Sequence, residues 1–370
     1  MARALELARQ ALGLSSPNPA VGALIVNSDG TVVGEGFTQE PGGLHAEAVA
    51  LAQAGLAARG AMMYTSLEPC AHAGRTPPCA RAIVEAGLSN VVVAVLDPNP
   101  EVNGRGVDMV REAGIDVRVG DGRAEADEHY QSYYKHVRTG EPLLIAKYAM
   151  TLDGKIATKT GDSRWVSSAA SRRRVHERRA QVDAILTAPG TVAVDDPQLT
   201  ARDAEGMPLL RQPMRVIADS RGRTPLTARL FREPGRTLVA TAGDEYHLPF
   251  KDLGGSVSVV SLPDEHNRVD LKALLRHLGE AGVMQVFTEV GEVLLGSIFD
   301  DGLPDQAMVF IAPKVVGGAQ ALGPVAGTGV DRIGNAPALS HVRIDRIEGD
   351  VLIEGAFRWW DGAEGQARGV

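Results

Sequence analysis

Two short segments of the chain carry side chains suited to holding a metal ion. His45 begins a His-Ala-Glu tripeptide, and Cys70 and Cys79 follow it, the first directly after Pro69. A neutral imidazole and two thiolates are ligands that Zn²⁺ prefers, and three protein ligands leave a fourth position for water. The ion lowers the pKa of that water from ~16 to about 7. Glu47 is then free to move a proton from the water to a departing amine, so the pattern predicts a zinc-dependent deaminase.

The two cysteines allow other interpretations. They are the only cysteines among 370 residues, and they could be a buried apolar pair or form a disulfide. Nothing in the sequence indicates an oxidising compartment, which disfavours the disulfide. A purely structural zinc site would need a fourth protein ligand. His72 is the candidate for that ligand, although we favour a position for it beside the ligands or facing the substrate.

Length and charge restrict the class of protein. A chain of 370 residues exceeds one ordinary domain, so two are expected. The net charge of -8 argues against a general nucleic-acid binder but permits a phosphorylated small substrate. No apolar run approaches the ~20 residues of a membrane span. The amino-terminal segment contains Glu6 and lacks the continuous apolar stretch of a signal peptide, which predicts a cytoplasmic protein.

The first 140 residues alternate strand and helix patterns. Gly87 is the expected end of the helix that contains Cys79, and Cys79 would lie in its first turn, where the helix dipole favours a thiolate. The pattern predicts an α/β/α layered domain with both halves of the metal site at helix starts. After an opening helix, strands are predicted at 21–26, 31–37, 62–67, 91–96 and 115–119, and helices at 46–57, 76–86 and 108–113.

A second α/β pattern begins after a polar segment at 138–142. A basic run, Arg172 to Arg174, lies on one of its helices together with Arg178 and Arg179, and such runs are usually a solvated face. A hairpin is expected to turn at residues 348–350. Strands are predicted at 143–149, 184–187, 214–218, 237–240, 256–260, 283–288, 306–312 and 341–360, and helices at 169–181, 271–281 and 293–299.

Several motifs resemble one family over nearly the whole chain, the bifunctional deaminase–reductases of riboflavin biosynthesis. Eight residues, 71–78, separate the two cysteines, where many nucleoside and tRNA deaminases have two. The other shared motifs are Pro17-Asn18-Pro19-x-Val21-Gly22, His45-Ala46-Glu47, Asp97-Pro98-Asn99-Pro100, Thr151-Leu152-Asp153-Gly154-Lys155, Ser163-x-Trp165, Asp195-Asp196-Pro197-x-Leu199-Thr200 and Ile311-Ala312-Pro313-Lys314.

The resemblance implies two α/β domains and two reactions. Residues 1–140 would form a cytidine-deaminase-like domain that removes the 2-amino group of 2,5-diamino-6-(5-phosphoribosylamino)pyrimidin-4-one. Residues 143–370 would form a dihydrofolate-reductase-like domain that uses NADPH to reduce the ribosyl chain of the product to a ribityl chain. The implied partners are this phosphorylated pyrimidine and further copies of the chain, in a dimer or larger homo-oligomer, with no nucleic acid or membrane.

The resemblance also implies roles for individual residues. His45, Cys70 and Cys79 would bind Zn²⁺, and Glu47 would transfer protons. Asn18, Arg75 and Thr76 are implied deaminase-substrate contacts. The implied NADPH contacts are Ala149, Trp165, Thr191, Asp195, Ser220 and the run Gly291, Glu292, Val293, Leu294, Leu295, Gly296 and Ser297. The implied reductase-substrate contacts are Ser163, Arg179, Leu199, Arg202 and Glu289, where Arg179 and Arg202 could hold a phosphate dianion.

One segment departs from the family pattern. Relatives usually have a small residue where Val290 stands, and a β-branched side chain resists a positive φ. Glu292 would also place a carboxylate near the cofactor phosphates. Both changes predict weaker NADPH binding. No Gly-x-Gly-x-x-Gly motif supports a Rossmann cofactor site.

Two other functions fit parts of the sequence. One is a zinc deaminase of a nucleoside or tRNA base with a non-catalytic second domain, which the cysteine spacing and the acidic charge disfavour. The other is a zinc-stabilised scaffold, which Glu47 beside an incomplete ligand set disfavours.

Overall fold

The computed structural model describes residues 1–71, 77–362 and 368–369. The predicted contacts Arg75 and Thr76, and the candidate ligand His72, lie outside the described residues. Two compact units are present, and the chain crosses from the first to the second between Gly140 and Glu141. Within the described residues, no helix has both the length and the apolar character that crossing a bilayer requires.

The first unit contains a five-stranded sheet and six α-helices among its described residues. Its strands lie in the order β2-β1-β3-β4-β5; β1 is antiparallel to both neighbours, whereas β3, β4 and β5 are parallel. The elements are α1 (Ala2–Gln10), β1 (Gly22–Val26), β2 (Val32–Phe37), α2 (Ala46–Ala54), β3 (Met62–Thr65), α3 (Cys79–Ala86), β4 (Asn90–Val93), α4 (Arg105–Glu112), β5 (Asp116–Val119), α5 (Arg123–His129) and α6 (Gln131–Thr139).

The helices that carry the metal ligands follow the prediction closely. Helix α2 begins after His45, although it ends at Ala54 and a short 3₁₀ turn over Gly55–Ala58 replaces its predicted last turn. Helix α3 begins at Cys79, three residues later than predicted, and ends at Ala86. The next residue, Gly87, has a left-handed backbone (φ 69°, ψ 40°) that allows the predicted stop. Helices α5 and α6 were not predicted.

The first unit also includes residues near the carboxyl end of the chain. The sequence assigned all of 143–370 to the second domain, whereas the structure returns residues 360–362 to the first unit. The side-chain amide of Gln131 forms hydrogen bonds with both the backbone N–H and the backbone carbonyl of Trp360, and both residues are buried. Polar groups in a buried position need such partners, and no local sequence signal predicts this pairing.

The second unit is built on a nine-stranded sheet. Its order is β10-β9-β8-β7-β11-β6-β12-β14-β13, parallel from β10 to β12 and antiparallel from β12 to β13. The elements are β6 (Leu143–Thr151), α7 (Ala169–Gln181), β7 (Ala184–Thr187), α8 (Pro189–Asp195), β8 (Met214–Ala218), β9 (Thr237–Thr241), β10 (Val257–Ser261), α9 (Leu271–Glu280), β11 (Gln285–Thr288), α10 (Glu292–Asp300), β12 (Gln306–Ala312), β13 (Ser340–Ile347), β14 (Asp350–Ala356) and the short strands β15 (Arg358–Trp359) and β16 (Arg368–Gly369).

The parallel strands are apolar because both faces of that part of the sheet are covered. Every residue of β7 and of β11 is buried. Ser168 caps α7 by accepting a hydrogen bond from the backbone of Ser171, and Asp270 caps α9 in the same way. Because seven neighbouring strands are parallel, their carboxyl ends lie along one edge of the sheet, where ligands bind in open α/β sheets.

Candidate functional sites

His45, Cys70 and Cys79 come together in the first unit. Their candidate ligand atoms all lie within 4.8 Å of one another. Nδ1 of His45 is 3.6 Å from Sγ of Cys70 and 3.4 Å from Sγ of Cys79. The backbone N–H of Cys79 donates to Sγ of Cys70 at 3.3 Å. Two sulfurs and one imidazole nitrogen form a donor set that suits Zn²⁺ with one position left for water, so the residues present fit the predicted ion.

Close backbone contacts position the helix that follows His45. A side chain at Gly36 would place its Cβ 2.3 Å from the carbonyl oxygen of Ala46, and one at Gly34 would place it 2.2 Å from that of Ala50. Strand β2 can therefore press against α2 only because these two residues lack side chains. The start of α2 is held in place by this contact, which fixes His45 as the residue before the helix.

The thiols and the imidazole change one another's proton affinity. The hydrogen bond from the Cys79 thiol, followed by that with His45, lowers the pKa of Cys70 to about 4. The same contact with Cys70 raises the pKa of Cys79, which is buried. The contact with Cys70 also raises the pKa of His45. A thiolate is therefore already favoured at Cys70, as a metal ligand requires.

Glu47 lies next to this cluster and is almost completely buried, with 3% of its surface exposed. Burial raises the pKa of its carboxyl group to about 7, and the negative charge of Cys70 adds to that effect. A carboxyl group whose pKa is close to neutral can accept and release a proton during a reaction near pH 7. The geometry thus brings the predicted proton carrier to the three predicted ligands.

Glu68 is a buried residue of this region that the sequence did not indicate. One carboxylate oxygen accepts hydrogen bonds from the backbone N–H groups of Asp97 (3.1 Å) and Gly104 (2.9 Å). The other accepts from Gly106 (2.9 Å) and Val107 (3.1 Å). Four N–H groups of the segment 97–107 therefore converge on a side chain two positions before Cys70.

The predicted contact Asn18 is half-buried in the turn before β1. Its backbone N–H donates to the carbonyl oxygen of Ser15 at 2.8 Å, and its own carbonyl accepts from the hydroxyl of Ser15 at 3.0 Å. These bonds fix the turn. The expected contact of Asn18 with a substrate stays a prediction.

The second unit contains a cleft of about 1760 Å³ along the carboxyl ends of its parallel strands. Most of the residues that the family resemblance assigned to cofactor or substrate line this single cleft, and their contacts with those molecules stay predictions. They are Ala149, Ser163, Trp165, Arg179, Thr191, Asp195, Leu199, Ser220, Glu289, Gly291, Glu292, Val293, Leu294 and Ser297.

Three of the residues assigned to this site do not line the cleft. Leu295 is fully buried, and a Cβ on Gly296 would lie 2.5 Å from the carbonyl of Ala326, so both face the protein interior. Arg202 uses its guanidinium within its own loop, donating to Oγ1 of Thr200 (3.0 Å), Oε1 of Gln198 (2.6 Å) and the carbonyl oxygen of Gly206 (2.7 Å). In this position the guanidinium of Arg202 stabilises its own loop, and the expected contact with a substrate phosphate stays a prediction.

Arg179 is also occupied by protein groups. Its Nε and Nη2 donate to the two carboxylate oxygens of Glu289, and its Nη1 donates to the carbonyl oxygen of Thr200 at 3.0 Å. These donors face a carboxylate and a carbonyl, and the expected contact of Arg179 with a substrate phosphate stays a prediction. The sequence separates the two partners by 110 residues, which concealed the pairing.

Lys147 on β6 is a cleft residue that the sequence analysis missed. Its Nζ lies 4.0 Å from Oε2 of Glu289, and 18% of its side chain is exposed. Burial lowers the pKa of Lys147, and the charge of Glu289 acts against that effect. A buried lysine with a lowered pKa that faces a cleft can serve as a proton donor.

The segment that departs from the family pattern is less strained than expected. Val290 is not among the residues with a positive φ, and Gly291 has a φ of −78°. The β-branched side chain therefore meets no backbone conflict, and it packs against the main apolar core of the unit. Glu292 begins α10 and lines the cleft, and its position near cofactor phosphates stays a prediction.

The basic run on α7 divides between two environments. Arg172 lies over the ring of Trp165, with 4.3 Å from its guanidinium carbon to the ring centre, a cation–π contact. Arg173 forms an ion pair with Glu348, and Arg174 with Glu177, on the exposed surface. Arg173 and Arg174 thus form the solvated face that the sequence suggested, whereas Arg172 belongs to the wall of the cleft.

Comparisons with known proteins agree with this division of the chain. Residues 142–353 match the family model described as the RibD C-terminal domain, and residues 1–95 match the cytidine and deoxycytidylate deaminase zinc-binding region. The riboflavin biosynthesis protein RibD of Actinobacillus pleuropneumoniae is 39% identical over 358 residues, covering 96% of this chain and 93% of the relative. That of Escherichia coli K12 is 39% identical over 362 residues, covering 95% and 97%.

A solved structure is similar over the same extent. It is the diaminohydroxyphosphoribosylaminopyrimidine deaminase/5-amino-6-(5-phosphoribosylamino)uracil reductase of Thermotoga maritima, with a TM-score of 0.85, 35% identity, and coverage of 96% of this chain and 97% of that one. Similarity that covers both units, together with the His45, Cys70 and Cys79 cluster, shows that the chain belongs to the RibD family, the bifunctional zinc-binding deaminases and reductases of riboflavin biosynthesis.

Proposed function

We propose that the first unit converts 2,5-diamino-6-(5-phosphoribosylamino)pyrimidin-4-one into 5-amino-6-(5-phosphoribosylamino)uracil, and that the second unit reduces this product with NADPH to the ribityl compound. The single observation that carries the first step is the burial of Glu47 beside the His45, Cys70 and Cys79 cluster. The names of the similar proteins support the choice of substrate.

The residues of the first unit suggest how deamination proceeds. Zn²⁺ held by the three ligands would lower the pKa of a water molecule to about 7. Glu47 takes a proton from the attacking water and returns it to the amino group, which leaves as ammonia while the ring carbon gains oxygen. Its raised pKa suits both transfers near neutral pH.

The cleft of the second unit suggests how reduction is completed. NADPH, when bound, would supply a hydride to C1 of the ribosyl group. The bond from that carbon to the ring oxygen breaks, and the oxygen needs one proton to become a hydroxyl group. Lys147 is positioned to supply that proton, and Glu289, paired with Arg179, keeps a negative charge beside the lysine.

The residues of the cleft fit a nicotinamide dinucleotide. Gly291 precedes α10, and a side chain added there would meet only Thr191 Oγ1, at 3.9 Å. The first N–H groups of a helix attract phosphate oxygens, and both Gly291 and Thr191 line the cleft.

We further propose that the protein forms a homo-oligomer and that it works in the cytoplasm.

One experiment tests both steps separately. The purified protein is loaded with Zn²⁺, and ammonia release from the diaminopyrimidine substrate is measured without any reductant. NADPH oxidation is then followed with substrate that has been deaminated beforehand. Ammonia release without NADPH oxidation would contradict the proposed reductase and support a single-activity deaminase. NADPH oxidation without ammonia release would contradict the proposed deaminase.

A further inference from the structure

Two sequence motifs of the second unit are not used by the proposed reaction, and the structure brings them together. They are residues 151–155, at the end of β6, and residues 311–314, at the end of β12. The backbone N–H of Leu152 donates to the carbonyl oxygen of Lys314 at 2.9 Å. Nζ of Lys314 donates in turn to the carbonyl oxygen of Trp165 at 2.7 Å. The two motifs therefore form one junction beside the cleft wall that contains Trp165.

A long connection between β12 and β13 leaves this junction. Its first part, residues 315–329, contains no helix or strand, and we call it the strap. Leu322 and Pro324 of the strap line the cleft. The backbone N–H of Ile156, which follows β6, donates to the carbonyl oxygen of Leu322 at 2.9 Å. The strap is thus attached beside β6 at the point where it reaches the cleft.

The far end of the strap lies against α10. The backbone N–H of Ala326 donates to the carbonyl oxygen of Glu292 at 3.1 Å. Gly296 allows this approach, because a Cβ there would lie 2.5 Å from the carbonyl of Ala326. Helix α10 follows β11, and the strands lie in the order β11-β6-β12. The strap therefore spans the carboxyl ends of these three strands.

Asp153 holds the beginning of the strap. Its Oδ1 accepts a hydrogen bond from the backbone N–H of Val316 at 3.1 Å, and its Oδ2 accepts one from that of Gly317 at 2.7 Å. The hydroxyl of Thr151 also donates to Oδ1, at 2.6 Å. The bond from Thr151, followed by the backbone bonds, lowers the pKa of Asp153 to about 2. The carboxylate is therefore charged at neutral pH.

Asp300 holds the end of the strap in the same way. Its Oδ2 accepts a hydrogen bond from the backbone N–H of Thr328 at 2.8 Å, and its Oδ1 accepts one from that of Gly329 at 3.2 Å. Gly327 has a φ of 94°, and a Cβ there would lie 2.5 Å from Oδ2 of Asp300. Each end of the strap thus presents two consecutive N–H groups to one carboxylate, and Leu322 lies between the two attachments.

The strands under the strap are those expected to carry the reacting end of the cofactor. Lys147, the proposed proton donor, lies on β6, and Gly291, the proposed neighbour of the diphosphate, follows β11. A hydride donor that reaches from Gly291 to a carbon beside Lys147 must cross from β11 to β6. Phe310 of β12, which pairs with Ala149 of β6, also lines the cleft there. The nicotinamide half of NADPH would therefore lie beneath the strap.

We infer that the strap covers the nicotinamide ring of bound NADPH, and that Asp153 is a positioning residue that acts through the strap by holding Leu322 over the ring. The inference rests on the proposed function, because it assumes a nicotinamide dinucleotide whose reacting end lies at β6. An apolar cover excludes water from the reacting atoms. It also fixes the distance that the hydride must travel, and a misplacement of about 1 Å can cost about 100-fold in rate.

Two substitutions separate the attachment of the strap from its cover. Asp153→Asn leaves one acceptor oxygen and turns an NH₂ group toward a backbone N–H, which releases the beginning of the strap. Leu322→Ala removes the covering side chain and leaves both attachments in place. The control is Asp331→Asn, which changes an exposed carboxylate of the same connection that forms no hydrogen bond or ion pair with a described residue. The double variant of Asp153 and Leu322 completes the set.

Three measurements are made on each zinc-loaded full-length protein. Calorimetric titration gives the Kd for NADPH. The fluorescence of bound NADPH reports whether the nicotinamide ring is shielded from water, because shielding increases its emission. Steady-state oxidation of NADPH with substrate that has been deaminated beforehand gives kcat and KM. Circular dichroism and thermal unfolding show whether each variant is folded.

The wild type and the control should bind NADPH and increase its emission. Asp153→Asn should lose most of that increase and about 10- to 100-fold of kcat, while the Kd for NADPH changes little because the contacts at Gly291 remain. Leu322→Ala should show the same pattern. The double variant should be no worse than the more affected single variant, because both changes act through one element.

The outcomes separate this inference from the proposed function. A folded Asp153→Asn protein that keeps the emission increase and kcat would overturn the inference alone, even if its thermal stability fell. A loss of NADPH affinity in parallel with kcat, additive effects of the two substitutions, or wild-type binding of NADPH without increased emission would do the same. A wild-type protein that does not bind NADPH would overturn the proposed cofactor and, with it, the inference.

Discussion

Arg179 and Glu289 form a two-pronged ion pair in the cleft, with distances of 2.6 and 2.8 Å between the guanidinium nitrogens and the carboxylate oxygens. Only 12% and 13% of the two side chains are exposed. The pair joins α7 to the segment after β11, and Arg179 also donates to the carbonyl oxygen of Thr200. Three segments that line the cleft therefore meet at one guanidinium group.

Removing one partner of this pair should be strongly destabilising. Glu289→Ala leaves a buried, unpaired guanidinium group, and such changes cost about 3–5 kcal/mol of unfolding free energy. Chemical denaturation followed by circular dichroism measures the loss. Glu177→Ala is the control, because its partner Arg174 and Glu177 itself are much more exposed, and such pairs contribute about 0–1 kcal/mol. Equal effects of the two changes would contradict this account.

The ion pair of Arg179 and Glu289 also predicts that the free energy of unfolding decreases at acid pH. Burial alone would raise the pKa of Glu289, but the charges of Arg179 and Lys147 outweigh it and hold the pKa below its ordinary value of 4.5. Because the folded-state pKa is lower than the unfolded one, the contribution is complete above pH 4.5 and is lost as the pH falls through the folded-state value. Unfolding of the wild type and of Glu289→Gln between pH 3 and 7 should differ in slope on the acid side only. Parallel curves would show that Glu289 does not titrate in this way.

Glu47→Gln should retain zinc and lose deamination. The amide cannot accept the proton of the attacking water, and general acid–base catalysis contributes about 10²–10⁴-fold. Zinc content by atomic absorption and ammonia release are measured on the same sample, with NADPH oxidation on deaminated substrate as the internal control. Near-normal ammonia release from a zinc-replete variant would assign the proton transfer to another group.

Glu68→Gln should weaken the metal site through the position of Cys70. A carboxamide can offer only one oxygen to the four N–H groups that converge here, and its NH₂ group would face two of them. Leaving buried donors unsatisfied costs about 1–3 kcal/mol each. We expect weaker zinc retention against a chelator and slower deamination, with reduction unaffected. Glu85→Gln, on the exposed side of α3, is the matched control.

Lys147→Met should slow reduction without weakening cofactor binding. Methionine keeps the apolar length of the side chain but supplies no proton. NADPH oxidation should fall by about 10²–10⁴-fold, while the Kd for NADPH measured by calorimetry should change little. A variant whose affinity for NADPH falls in parallel with its rate would place Lys147 among the cofactor contacts.

The sequence predicted the parts of the sites that depend on short motifs. His45, Glu47 and Cys79 stand at helix starts whose boundaries have local signals, such as the two prolines before Cys79 and the glycine after α3. Cys70 instead lies in the irregular segment after β3, where the adjacent Pro69 marks it in the motif. The parallel strands of the second unit were equally visible as short apolar runs. Local spacing and polarity are sufficient to predict features of this kind.

Other features depend on partners that are distant in the chain. The ion pair of Arg179 was not foreseen, because its partner Glu289 is 110 residues away. Glu68 looked like an ordinary acidic residue because its partners are backbone groups of the segment 97–107. Lys147 lies in an apolar strand, where only the folded sheet reveals that its amine faces a cleft. Tertiary contacts decide these roles, and no local pattern encodes them.

The hydrogen bonds between Gln131 and Trp360 have a consequence for the order of synthesis. The ribosome makes the first 140 residues before residues 141–359 of the second unit, and residues 360–362, which belong to the first unit, are made only after those. Until then the buried amide of Gln131 lacks both backbone groups of Trp360 and keeps only its hydrogen bond to the carbonyl oxygen of Asp127. The zinc-binding unit can therefore complete its packing only after residues 141–359 have also been synthesised, and a gene fragment that ends at Gly140 would encode an incomplete unit.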